Sequence, residues 1–133
     1  MMARLSFRAL DLAVASVEQG LQEYEQHPSL LTIRDGVIQR FEIAMDLAWK
    51  LTQRALKETY GVVEEDLRTK KDIFREAASK GLITDAERWL EHLEARNQTS
   101  HIYDAEMAQQ VFAHIPGFLP DARDLLARLK DAD

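Results

Sequence analysis

The chain has 133 residues, 46% apolar and 30% charged, with a net charge of −6 and no cysteine. That length and balance fit one globular domain, 1–133, with enough apolar surface to bury a core. The missing cysteines exclude a disulfide framework and a thiolate metal site, and the acidic balance argues against broad nonspecific nucleic-acid binding.

Met1–Arg8 carries positive charge, but Asp11 and Glu18 interrupt the apolar run behind it. Neither a signal peptide nor a membrane span is expected, and the cytoplasm is the expected location. Phe7, Leu10, Val14, Val17, Leu21 and Tyr24 then recur at three- and four-residue steps. This is one apolar stripe on a first helix over 3–26. His27-Pro28-Ser29 ends it, because proline disfavours helix in the residue before it. A second helix is expected over 33–60, capped by Gly61 in the left-handed conformation. Its wide apolar set implies contacts on more than one side. A short third helix spans 69–80 and closes at Gly81.

A fourth helix is expected to open with a capping box, Thr84-Asp85-Ala86-Glu87, in which threonine accepts from the Glu87 amide. Asp104 then caps a fifth helix that runs to the end of the chain. Its stripe of Ala108, Val111, Ile115, Phe118, Ala122, Leu125 and Leu129 stays in phase across Pro116 and Pro120. One kinked helix is therefore expected rather than two. No segment alternates like a strand. The expected fold is all-α: an antiparallel up-and-down four-helix bundle with a short extra helix.

The chemistry concentrates in Arg96-Asn97-Gln98-Thr99-Ser100-His101-Ile102-Tyr103. Arginine clamps phosphate with paired hydrogen bonds, and histidine moves protons near neutral pH. Arg96 and His101 are five positions apart, about 140° on an ideal helix, so cooperation requires the helix to end or distort between them, or a second chain to complete the site. Asn97, Thr99 and Ser100 favour such a turn. The plainer reading is that Arg96 and His101 offset the negative end of a helix dipole, with Tyr103 a half-buried aromatic.

This run matches the Arg-x4-His-x-Tyr signature of the HEPN superfamily. Gln39-Arg40-Phe41-Glu42 with Leu47-Ala48-Trp49-Lys50, then Asp72–Ala77, Gly81-Leu82-Ile83 and Trp89-Leu90, resemble its nucleotidyltransferase substrate-binding branch. The resemblance covers roughly 5–130. It implies a homodimer whose two motifs meet at a cleft, and a separate minimal nucleotidyltransferase as partner in a toxin–antitoxin-like pair. It also implies that Arg96 holds a scissile phosphate, His101 acts as general acid or base, and Tyr103 accepts an adenylyl group. Asn97 and Ser100 would support them, and so would Glu42 on the second helix.

Other features carry less. Glu42 and Asp46 lie four apart on one helix face, and solvated surface charge is the commoner explanation of such a pair. Trp49 and Trp89 read as packing residues before stacking ones. Arg68, Lys70, Lys71 and Arg75 form a basic cluster that would contact RNA or an acidic partner, unless it is a solvated face. His27, His92 and His114 show no metal-ligand spacing, so neither metal nor cofactor is expected. The Gly-Ser and paired aspartates of the transferase itself are absent. The leading expectation is thus a partner subunit binding nucleotide or nucleic acid. The alternatives are a metal-independent ribonuclease silenced at Tyr103, and a ligand-free helical adaptor.

Overall fold

A computed structural model describes residues 5–133 of the chain. It contains five α-helices: α1 (Arg8–Gln26), α2 (Leu31–Glu58), α3 (Lys70–Ser79), α4 (Ala86–Gln98) and α5 (Ala105–Ala132). Two 3-10 turns, Glu64–Asp66 and Thr99–His101, complete the regular structure, and no strand occurs among the described residues. The first helix was expected from residue 3; residues 3 and 4 lie outside the described residues, and the helix begins at Arg8.

Cross-helix bonds fix the directions. Arg40 Nη1 donates to the Ser16 carbonyl at 2.9 Å, and Gly20 faces Val37, so α2 runs back along α1. Arg96 meets Asp46, while Thr99 meets Glu42, so α4 is antiparallel to α2. Glu18 pairs with Arg123 and Asp11 with Lys130, which sets α5 antiparallel to α1. The four long helices alternate up and down, with α3 packed on α2 and α4.

The core is continuous through all five helices. Phe41, Phe74 and Phe118 are fully buried, each contributing about 2–3 kcal/mol of transfer free energy. Phe41 meets Phe118 edge-on at 5.0 Å, and Trp89 stacks on Phe74 at 5.2 Å, so Trp89 packs as expected. Gly20 permits a close α1–α2 approach, since a Cβ there would lie 2.9 Å from Val37 Cγ2.

Helix α5 is continuous through Pro116 and Pro120. The two prolines are four residues apart on one exposed face. Carbonyls left without an N–H donor there can turn to water, while Ile115, Phe118, Leu119 and Ala122 bury the opposite face. Gly61 and Gly81 have φ of 65° and 76°. Beyond them the Val62 and Leu82 amides donate back to the Leu56 and Ala77 carbonyls, each at 2.9 Å.

The expected capping box at Thr84 is not formed. Asp85 is the N-cap of α4, accepting from the Arg88 amide at 3.3 Å. Arg128 Nη2 donates to the Thr84 hydroxyl at 2.7 Å, and this tertiary partner draws that side chain away from the helix start. A reciprocal box forms instead on α3, between Thr69 and Asp72.

Candidate functional site

Helix α4 ends at Gln98, within the motif, and the chain tightens into the 3-10 turn Thr99–His101. The Asp104 amide donates to the His101 carbonyl at 3.1 Å, and Asp104 then caps α5, accepting from Glu106 and Met107. Arg96 therefore sits on the helix and His101 beyond its end.

Arg96 faces α2. Its Nε donates to Asp46 Oδ1 at 2.7 Å and its Nη2 to Asp46 Oδ2 at 2.9 Å, a bidentate fork. Nη1 lies 3.8 Å from Glu42 Oε2. The Arg96 and Asp46 side chains are 21% and 27% exposed. Burial alone would raise the Asp46 pKa, but the Arg96 hydrogen bonds and charge outweigh it. The nearby Trp49 indole and Lys70 ammonium add to that effect, and the carboxyl sits below its ordinary range. The Asp46 hydrogen bond in turn raises Arg96, against the cost of burial and with the Asp46 and Glu42 charges helping. One cation thus faces two carboxylates, and Nη1, turned toward Glu42, makes no hydrogen bond among the described residues.

Thr99 ties the turn to α2. Its hydroxyl stands 2.5 Å from Glu42 Oε2 and 2.7 Å from the Arg96 carbonyl, two acceptors for one proton. Asn97 and Ser100 are exposed and make no side-chain hydrogen bond among the described residues. Within the chain it is Asp46 that holds Arg96 and Thr99 that ties the turn to α2. Asp46 was legible only as the i+4 partner of Glu42.

His101 and Tyr103 are exposed, and Tyr103 is 84% so. The Tyr103 hydroxyl lies 3.4 Å from His101 Nδ1, a long contact, with the rings edge-on at 5.9 Å. A cleft of about 410 Å³ opens between α2 and the turn, lined by Asp35, Gln39, Glu42, Thr99 and Ile102 among others, but not by His101 or Tyr103.

Of the basic cluster, Arg68, Lys71 and Arg75 are exposed and Lys70 is half-buried. Lys70 Nζ lies 4.9 Å from the centre of the Trp49 ring, and Lys50 Nζ lies 5.6 Å from it. A second polar cluster joins histidines that are scattered in sequence. His92, 1% exposed, has Nδ1 2.7 Å from His114 Nε2 and Nε2 2.7 Å from Asp121 Oδ2. Arg88 Nε donates to the same Asp121 oxygen at 2.9 Å. No group of three or more metal-ligating side chains is assembled among the described residues.

Residues 5–131 match the family described as nucleotidyltransferase substrate binding protein like. A Haemophilus influenzae protein named probable ribonuclease HepT is 35% identical over 137 residues, covering 96% of this chain and 93% of that protein. A solved H. influenzae structure, described as revealing the fold of a substrate binding domain of a nucleotidyltransferase, aligns with a TM-score of 0.84 at 34% identity. That alignment covers 94% of this chain and 99% of the other. A Thermus thermophilus crystal structure aligns with a TM-score of 0.67 at 28% identity, covering 85% of this chain and 98% of the other. The chain belongs to the nucleotidyltransferase substrate-binding-protein-like family.

Proposed function

We propose that this chain is a HEPN-type partner subunit of a separate minimal nucleotidyltransferase, in a toxin–antitoxin-like pair. Two copies bring their motifs to one cleft, where nucleotide or nucleic acid binds. The observation that carries this reading is the exposed Tyr103 hydroxyl standing beside His101, one turn beyond an Arg96 anchored on α2. A partner enzyme reaches such a hydroxyl without unfolding anything. The phenol gives up its proton to a base, its oxygen attacks the α-phosphorus of ATP, the bond to the β-phosphate oxygen breaks, and pyrophosphate leaves with the electron pair. The test is incubation with the cognate nucleotidyltransferase and ATP. The wild-type chain gains adenylyl mass on Tyr103 and Tyr103→Phe does not; no gain on the wild-type chain refutes the modification.

A second reading is favoured by the exposure of His101 and by the name of the ribonuclease relative. Here the chain cleaves RNA itself. The 2′-hydroxyl gives up its proton and attacks phosphorus, the bond to the 5′ oxygen breaks, and that oxygen takes a proton. The step needs one base and one acid, and each copy brings one His101. Arg96 Nη1 would meet the developing phosphate charge. Purified protein would then cut single-stranded RNA in EDTA, and His101→Ala would abolish the cut. Cleavage surviving that substitution sinks this reading.

A further inference from the structure

We propose that Trp49, Lys70 and Lys50 form a nucleotide subsite beside Arg96 for a single-stranded RNA, the indole meeting a base and the ammonium groups meeting phosphates. It rests on reading the motif as a nucleic-acid site. The starting point is charge. Arg96 is matched by two carboxylates, Asp46 in a bidentate fork and Glu42 at 3.8 Å, so the motif alone offers a phosphodiester no net positive charge. A polyanion bound there requires cations from elsewhere.

Direction along α2 decides where they come from. Toward its N-terminal half the motif opens on the cleft lined by Asp35 and Glu42, which repels a phosphate backbone. Toward its C-terminal half, one turn beyond Asp46, stands Trp49, half-buried and packed against the core. Its ring is approached by Lys70 from α3 at 4.9 Å and by Lys50 from α2 at 5.6 Å. Neither lysine is within 4.0 Å of a carboxylate among the described residues, although the Lys70 charge is felt at Asp46. Arg68, Lys71 and Arg75 extend the same basic segment of the chain and are likewise without ion pairs among the described residues. Both ammonium groups lie over the ring, and their long side chains let them swing off it onto phosphates when an unpaired base takes the face. A duplex, whose bases are stacked on each other, cannot use it.

The test is a titration of the full chain with a 2′-O-methyl single-stranded RNA oligonucleotide, which lacks the nucleophile for self-cleavage. Intrinsic tryptophan fluorescence reports on Trp49, because Trp89 is buried against Phe74. The wild-type signal is quenched on binding, and the quench is lost in Trp49→Phe. Trp49→Leu, which keeps an apolar side chain on the core, weakens affinity about fivefold or more. Lys70→Ala lowers the slope of log affinity against log salt by about 0.7, one phosphate contact on a single strand. Unchanged affinity in Trp49→Leu together with an unchanged slope in Lys70→Ala overturns the proposal, and so does equal affinity for duplex. Loss of nucleotidyltransferase association with RNA affinity intact assigns this face to the protein partner and overturns it too. Because the oligonucleotide is not cut, absence of nuclease activity or of adenylylation leaves the result readable.

Discussion

Removing Asp46 tests whether α2 holds Arg96 in place. The Arg96–Asp46 fork has both side chains between a fifth and a third exposed. Fully exposed pairs contribute under about 1 kcal/mol, and breaking a buried pair costs about 3–5 kcal/mol. With solvent screening at this intermediate exposure, Asp46→Ala should cost roughly 1–3 kcal/mol. For 133 residues the unfolding entropy is about 280 cal/mol/K, so Tm should fall by roughly 4–11 °C. The assay is thermal unfolding followed by circular dichroism on wild type, Asp46→Ala, Arg96→Ala and the double variant. A coupling energy of about 1–3 kcal/mol is expected; additivity within about 0.5 kcal/mol would refute the reasoning. The pH dependence gives a second check. The folded Asp46 pKa is lowered, so its contribution is complete above the ordinary value of 3.8 and is lost as pH falls through the folded value below it. Wild type should therefore lose its advantage over Asp46→Ala only in strong acid.

The His92–His114 pair loses stability in the same direction, toward acid, but over a higher pH range. Burial first disfavours the charge on both, opposed at His92 by Asp121 and at His114 by Glu91 and Asp121, while Arg88 adds to the lowering of each. With folded values below the ordinary 6.5, stability is complete above that pH and declines as pH falls through it. Thermal unfolding across that window should show a steeper acid decline in wild type than in a His92→Gln/His114→Gln double variant, and equal slopes would contradict the pairing. At the α1–α2 contact, Gly20→Ala places a Cβ 2.9 Å from Val37 Cγ2 and 3.2 Å from Arg40 Nη1. Overpacking there should cost about 1–3 kcal/mol, read as a lower denaturant midpoint, and a stabilised variant would show that the two helices separate freely.

Much of the fold is written in local pattern. The apolar stripe of α5 keeps its phase across both prolines because the buried face belongs to the other residues of each turn, and proline's missing N–H lies on the wet face. Glycines at 61 and 81 end their helices because the left-handed conformation carries little steric cost there. The break between Arg96 and His101 follows from turn-forming residues over 97–100, and α4 ends within them.

What the sequence alone determined is therefore the set of helices, most of their ends, and the separation of arginine from histidine, all consequences of backbone preference and periodicity. Partners were decided only by tertiary structure. Asp46 lies fifty residues from Arg96, His92 twenty-two from His114, and Arg128 forty-four from the Thr84 hydroxyl it claims. Such pairs form because packing leaves polar groups with few acceptors inside reach, and no local pattern records which distant side chain will be there. The sequence placed Arg96 in a motif; the packing of α4 against α2 gave it Asp46 and turned its Nη1 toward Glu42.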